Sequence, residues 1–557
     1  MKKTALTLLL TVAAISGNAQ TIYDALRFSE SYYEGTARTM AMGNAFTALG
    51  GDLGAVNINP AGSAVAGYSQ ITISPAINIS VNNAGGTTLQ GESSPFCFEN
   101  RIKNPFTRFN VPNFGISMNY DTHRTSGIRN FTFGFVVNTT NRFQESPMTS
   151  GTQTETSFTG SEAYWAGMDG YDFNSLMSSD AYENYSAPWR TIVAAQSGMI
   201  SNLANSTGDY IGAAEYLDDE NNIFVPGPLD QSYQRHTTGF KYDYAFNFGM
   251  NVSDFIYLGM NLGITSFDYD SATRYTETAQ DPYDFKNDFT ITGENGTEQA
   301  TAYFKGMRYD YRYKASGAGV YAKFGVIVTP FSGLRLGAAI QTPTSTTITE
   351  HWMESGSTTF DDSRFNGSAE SPEGEYSYRL ISPFRANFGA AWTFGNFGLI
   401  SLDYELCDYS SMRFKEMDDM QSGEFDIQNA DIRDFMGTSH MLRAGIEIKP
   451  VPQFAIRAGY GLTTSPEKTV NADGNIVYIN RIVKNTATHK GSFGFGYSSN
   501  GSFFADLACC FTKYGNEYIT PYQDYIFDDE GNTITLTPEI LNKRTLWNVM
   551  LTLGFRF

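Results

Sequence analysis

The sequence predicts an all-β protein: a transmembrane antiparallel β-barrel of about 14 strands, with a small N-terminal plug inside the lumen. Three observations predict it. At the carboxyl end Trp547, Val549, Leu551, Leu553, Phe555 and Phe557 are apolar, while the intervening parity is mixed. A strand with one wholly apolar face that ends on an aromatic residue suits the closing strand of a barrel in lipid. Alternating segments of about ten residues recur along the chain, the length a tilted strand needs to cross a bilayer. The composition agrees: 53 Gly, 42 Phe and 34 Tyr with only 17% charged residues fit a greasy exterior, a polar interior and aromatic rims.

The elements follow in order. Lys2 and Lys3, the apolar run Ala5 to Ile15 and the small residues Gly17-Asn18-Ala19 read as a secretory signal peptide, 1–19, cut before Gln20. The apolar run is too short to span a bilayer. Residues 20–67 do not alternate and are rich in Ala, Gly and Met. Small residues let backbone pack closely in a confined space, so this stretch reads as the plug. Pro60 is expected to end any helix begun at Asp52. Glu34 and Arg38 stand at i, i+4 and are a candidate plug ion pair.

The barrel is read over 68–557. Ile71, Ile73, Ile77, Ile79 and Val81 open the alternation. Phe114 to Tyr120 and Phe131 to Val137 continue it. Tyr242 to Val252 turns at Ser253-Asp254 into Ile256 to Ile264, as a tight hairpin does. Val320 to Val328 leads to Leu334 to Ile340, and Phe388 to Phe394 to Ile400 to Leu406. Leu442 to Ile448 leads to Phe454 to Tyr460, and Phe493 to Tyr497 to Phe503 to Phe511. Between the hairpins lie long polar segments, 139–238, 270–302, 343–380, 410–437, 464–489 and 513–543, read as extracellular loops. Short turns at one end and long loops at the other is barrel asymmetry; a β-sandwich would carry long loops at both ends. The largest loop, 139–238, is also apolar. Its stretch Pro188 to Leu203 has helical spacing, and Trp165, Met168, Phe173, Trp189, Ile192 and Met199 are candidates for capturing a greasy ligand.

The stretch 35–62, with Asn59-Pro60-Ala61, resembles the start of the FadL/TodX family of outer-membrane hydrophobic-compound transporters. Leu334 to Ala339 followed by Thr342-Pro343, Gly398 to Glu405, Arg443-Ala444-Gly445 and Arg457 to Tyr460 resemble its Bacteroidetes branch. The resemblance implies a fourteen-stranded barrel closed by an amino-terminal plug. It implies ligand capture by the loops, an apolar pocket, and release after plug movement, sideways through a gap in the wall. On this reading Asn59, Pro60 and Ala61 anchor the plug, and Met40, Met42 and Phe46 meet the ligand path. The implied function is passive transport of long-chain fatty acids or other small hydrophobic molecules across the bacterial cell outer membrane. The implied partners are outer-membrane lipids, the ligand, and the barrel-assembly machinery through the strand ending at Phe557.

Other classes fit poorly. A net charge of −20 argues against nucleic acid. The four cysteines form no CxxC pattern and the five histidines no metal-ligand spacing, so no cofactor and no metal site is expected. No Gly-x-Ser-x-Gly elbow or Walker loop suggests an enzyme. The alternative is a non-transporting outer-membrane scaffold, a secretion or assembly partner on the same barrel.

Overall fold

The computed structural model describes residues 21–87, 97–203, 206, 208–293, 296–417, 423–468, 487–499, 501–527, 533–535 and 537–557. The signal peptide read over 1–19 lies outside the described residues, as does most of the loop read over 464–489.

Fourteen strands close into one antiparallel barrel. They are β1 (Gln70–Thr87), β2 (Ile102–Asp121), β3 (Ile128–Arg142), β4 (Leu229–Val252), β5 (Ile256–Ala279), β6 (Gly296–Phe331) and β7 (Leu334–Gln341). The second half supplies β8 (Arg385–Phe394), β9 (Gly398–Asp408), β10 (Thr438–Val451), β11 (Phe454–Thr463), β12 (Thr488–Ser498), β13 (Phe503–Lys513) and β14 (Glu539–Arg556). Each pairs with its neighbours in this order, and β14 returns to β1 from Gln70↔Arg556 to Thr87↔Glu539. Closure gives every strand a neighbour on both sides, as a sheet in hydrocarbon requires, with β2 left unpaired towards β3 above Asn113.

The period of two decides what each face does. Ile71, Ile73, Ile77 and Ile79 of β1 are exposed, as are Trp547 to Phe555 on the odd positions of β14. Between them Ser74, Asn78, Ser80, Asn548 and Thr552 are buried. Asn548 donates to Asn78 (2.6 Å) and Asn78 to Asn110 (2.8 Å), so the inner face is an amide ladder across β14, β1 and β2. Trp547 and Phe557 are ten positions apart, about 34 Å along a strand and about 25 Å once tilted. That is the height of an apolar band.

The short turns lie at one end. Ser253 and Asp254 take φ of 58° and 53°, the left-handed pair a two-residue hairpin needs. Ser69 and Phe557 bond to each other at the same end (3.0 and 3.2 Å). All four cysteines are free.

Several strands exceed the ten-residue expectation, three of them most strongly. β4 and β5 run for 24 residues each and β6 for 36. Part of what reads as loop in 139–238, 270–302 and 343–380 is therefore sheet. Strand Ser345–Phe360 pairs with β6 from Ser345↔Val320 to Phe360↔Phe304, and Gly374–Ile381 pairs with that strand in turn. The alternation persists there with aromatics inside and polar groups outside, a pattern that a search for apolar outer faces misses. Tyr269, Tyr275, Tyr309 and Tyr313 are its buried side.

The amino-terminal segment lies inside the barrel. It begins with helix α1 (Ile22–Ser29), where Thr21 and Asp24 form a capping box, and continues to α2 (Ala37–Ala41). Asp52 then caps a 3₁₀ turn, Leu53–Ala55, and Asn59 caps another, Pro60–Val65. Pro60 thus starts a turn rather than ending a helix, because the first position needs no N–H donor. Glu34 and Arg38 do not pair with each other. Glu34 precedes α2 and pairs with Arg142 of β3 (2.7 Å), while Arg38 pairs with Glu447 of β10 (2.9 Å). The i, i+4 spacing brings side chains together only within a helix.

Wall glycines let the segment lie directly on the strands. Gly249, Gly259 and Gly325 face one another across β4, β5 and β6, Gly337 faces Gly389, and Gly445 faces Gly459. A Cβ at Gly325 would overlap Asn59, one at Gly337 Thr47, and one at Gly459 Gly43. These glycines are used for close backbone approach.

Over the loop end sits a cap from the connection between β3 and β4. It contains α3 (Phe158–Met168), α4 (Phe173–Leu176), α5 (Ala181–Asn184) and α6 (Trp189–Gln196). The helical reading of Pro188 to Leu203 is too long. α6 stops at Gln196, and Gly198 at φ 73° turns the chain. A seventh helix, α7 (Asp426–Phe435), packs near α1.

Candidate functional site

At the loop end the cap and the tall strands enclose an open cleft of about 790 Å³. Trp189 of α6 and Trp352 form one wall, with ring centroids 5.5 Å apart. Tyr233, Tyr275, Tyr309 and Tyr311 come from β4, β5 and β6. Arg190 lies over Phe158 at 4.5 Å and pairs with Glu162. The Tyr309 hydroxyl donates to Glu354 (2.7 Å). The lining mixes aromatic rings with polar groups such as Ser186, Arg190, Thr273, Glu354 and Thr520, and the rings offer faces to planar or aliphatic bodies.

The six loop residues singled out in the sequence part company here. Trp189 lines the cleft. Ile192 and Met199 are wholly buried in the cap's core and touch no ligand space. Ile192 lies on the buried face of α6, as a hydrophobic residue at helical spacing does, and Met199 follows the turn at Gly198 beyond the helix. Trp165 donates to the Asp524 carbonyl (3.1 Å), Phe173 packs on Tyr210 (6.0 Å), and Met168 is exposed away from the cleft. Trp352 and the four tyrosines went unnoticed because they lie on polar-looking strands far apart in sequence.

The cap holds a buried carboxylate, Glu215, which accepts from the Gly212 N–H (3.1 Å). Burial pushes it up to about 7. The folded cap therefore keeps a proton that the unfolded chain loses at lower pH. Cap stability is full below the unfolded value and falls as pH rises towards 7. Protection factors of the α3 and α6 amides, which remove the intrinsic pH dependence of exchange, are expected to be lower at pH 8 than at pH 5. Glu215→Gln should flatten that slope, and an unchanged slope would refute the assignment.

Below the cleft α1 occupies the lumen. Phe28 stacks on Phe267 at 4.6 Å and meets Phe143 and Tyr269 edge-on. Beside it lies a cavity of about 270 Å³ lined by Glu30, Tyr32, Arg385, Tyr409, Tyr514 and Arg544 among others. Farther down the wall grips the segment by its backbone. Lys241 donates to the Phe28 carbonyl (2.7 Å), Arg385 to Ser29 (2.9 Å), Lys323 to Asn57 (2.6 Å) and Arg335 to Leu49 (2.7 Å). Asp403 accepts from the Thr47 N–H and hydroxyl, both at 2.7 Å. Asn59 donates to the carbonyls of Thr47 (2.7 Å) and Val326 (3.2 Å) and accepts from Ala61 N–H (3.0 Å). Its amide thus ties two parts of the segment to the wall, with Pro60 against Gly259. Met40 borders a small cavity of about 60 Å³, whereas Met42 and Phe46 are packed solid among Tyr33, Leu49 and Ile58. At the turn end Arg38, Asp52, Glu447, Arg457 and Asp506 edge a polar cavity of about 350 Å³.

Among the described residues the wall parts between β2 and β3. β2 pairs with β1 along most of its length but with β3 only from Asn113 to Asp121. Pro105 and Pro112 lie in β2 and remove ladder donors. The outward parity changes from Phe109 and Val111 to Phe114 and Met118, and the register with β1 shifts between Ser74 and Ala76, as at a bulge. Above Asn113 the two strands have no mutual ladder. From inside, Tyr32 N–H donates to the Thr140 carbonyl (2.5 Å) and Glu34 N–H to Thr139 (3.1 Å). Gln144 donates to the Phe106 carbonyl (2.8 Å). Outside, Phe106 packs on His236 at 4.9 Å, and Arg108 lies over Phe240 at 5.1 Å. The parting is filled by side chains and by the amino-terminal segment, which bridges to β3 in place of β2.

No protein-family model and no curated protein matches the chain. Among solved structures, the chain is similar to a FadL homologue of Pseudomonas aeruginosa, with 11% identity over 95% of this chain and 100% of that one and a TM-score of 0.48. It is similar to the P. putida toluene transporter TodX, with 11% identity over 95% and 99% of the two chains and a TM-score of 0.48. It is also similar to the Ralstonia pickettii toluene transporter TbuX, with 12% identity over 95% and 99% and a TM-score of 0.43.

Proposed function

We propose that the chain is a passive outer-membrane transporter of small hydrophobic molecules, long-chain fatty acids among them. The loop end faces outward, the aromatic cleft captures the ligand, and the ligand leaves sideways between β2 and β3. The observation that carries this reading is the parting above Asn113, closed from within by Tyr32 and Glu34. The lower lumen favours a lateral route. It is crowded with Lys323, Arg385, Glu405 and Arg443, and a greasy molecule forced past them loses its hydrophobic stabilisation. The parting leads from the upper lumen to the apolar band instead. Movement of residues 30–36 away from β3 is the gating step. In this reading the 20–67 segment is a plug and the protein performs no covalent chemistry.

The test is uptake of radiolabelled oleate or toluene by cells carrying the chain, beside binding to the purified barrel. Trp189→Ala with Trp352→Ala removes both rings of the cleft wall. A loss of about 2–3 kcal/mol, roughly a hundredfold in Kd, is expected, with uptake falling in step. Unchanged uptake by this double variant, or a stable co-purifying protein in place of ligand, would favour the scaffold reading.

A further inference from the structure

Just above the apolar band, the outer wall carries lysines with no counter-charge among the described residues. Register fixes their place. Trp547 of β14 packs on Phe511 of β13 at 4.8 Å and faces Ile79 of β1. These three mark the band's upper edge. Two residues farther along β13 is Lys513, which faces Thr545 on one side and His489 of β12 on the other. One step higher Lys543 of β14 faces Asn83 of β1, and Asn83 faces Lys103 of β2. All three lysines are exposed, on the same outward parity as the apolar band. The His489 ring is fixed by Tyr460, hydroxyl to Nδ1 2.7 Å. Strands run about 4.8 Å apart, so the three ammonium groups share an arc of roughly 15 Å.

Among the described residues no carboxylate pairs with Lys103, Lys513 or Lys543, although the chain as a whole carries a net charge of −20. The arc over β5 and β6 is different: Asp268 is exposed there, and Asp270 pairs with Arg312 (3.2 Å). Like charges set this close beside a low-dielectric layer repel unless an anion sits among them. The height selects the anion, because phosphates of a lipid leaflet lie immediately outside the hydrocarbon edge.

We propose that Lys103, Lys513 and Lys543, with His489 and the Asn83 amide, bind the phosphate headgroup of an anionic lipid in the leaflet on the loop side. The site is on the outer wall across β12, β13, β14, β1 and β2, away from the cleft; Lys103 lies on the β2 lip of the parting, but the proposal does not rest on the transport reading. A lipid there would brace the strands that join the two ends of the chain.

The purified full chain in phosphatidylcholine nanodiscs containing a minor fraction of phosphatidylglycerol supplies the test, with retained lipid counted by native mass spectrometry. Phosphatidylglycerol is expected to be retained over phosphatidylcholine. Lys103→Gln, Lys513→Gln and Lys543→Gln together should lower that preference about a hundredfold, and Lys543→Gln alone by less. Electrophoretic heat-modifiability reports that the variants remain folded. Equal retention by the triple variant overturns the proposal. So does lysine-dependent binding of inorganic phosphate to protein in pure phosphatidylcholine at the same affinity, which would make the patch a free-anion site.

Discussion

Deletion of residues 21–45 is expected to convert a sealed barrel into an ion-conducting one. These residues supply α1, the Tyr32 to Glu34 bridge to β3, and α2. Single-channel conductance in planar bilayers should rise by well over an order of magnitude above the intact protein. The barrel should still form, because its fourteen ladders close without the segment. Groups that lose partners, such as Arg142 and Lys241, would face water rather than a dry core, which limits the penalty. Hydrophobic uptake should lose its dependence on the cleft. A deletion that folds, as heat-modifiability reports, yet conducts no better than the intact chain would rule out the segment as the seal.

Glu405→Gln is expected to destabilise the folded barrel by about 3–5 kcal/mol, the range for breaking a buried pair on one side. Glu405 accepts from Arg385 (3.1 Å), Arg443 (3.1 Å) and Asn387 (2.7 Å). Lys323 and Arg443 lie over the ring of Tyr33 at 5.1 and 5.2 Å. All four ionic groups are nearly inaccessible. Without the carboxylate three cations share one dry site, and the backbone grip of Lys323 and Arg385 on the segment loosens with it. The variant should lose its compact electrophoretic form at lower temperature than the parent. Adding Arg443→Gln should recover part of the loss, since it removes one orphaned charge. A parent-like transition for Glu405→Gln would mean that water already screens the cluster.

The band-crossing part of the barrel was legible in the sequence because lipid imposes a simple code on it. Positions such as Ile71 to Ile79 and Val549 to Phe555 must be apolar on alternate residues, since they have no other environment. The sheet above the band escaped that code. Tyr269, Tyr275, Tyr309 and Tyr313 alternate with polar residues just as regularly, but water on the outer side permits any polar residue there. Small residues near 35–62 signalled close packing, and Gly259, Gly325, Gly337 and Gly459 are the matching half of that contact. Nothing local to a strand announces that a glycine faces another backbone.

The sequence by itself determined that the chain is a barrel, roughly how many strands it has, and which end carries short turns. Those follow from side-chain period and turn chemistry, which act over a few residues. Only the tertiary structure decided what each charge and ring is for. Glu34 reaches Arg142 across 108 positions and Arg38 reaches Glu447 across 409. Trp189 meets Trp352, and the β2–β3 parting begins where Pro112 of β2 coincides with a shift of register against β1. Such pairings depend on which strands the closed sheet brings face to face, and barrel closure is a property of all fourteen strands at once.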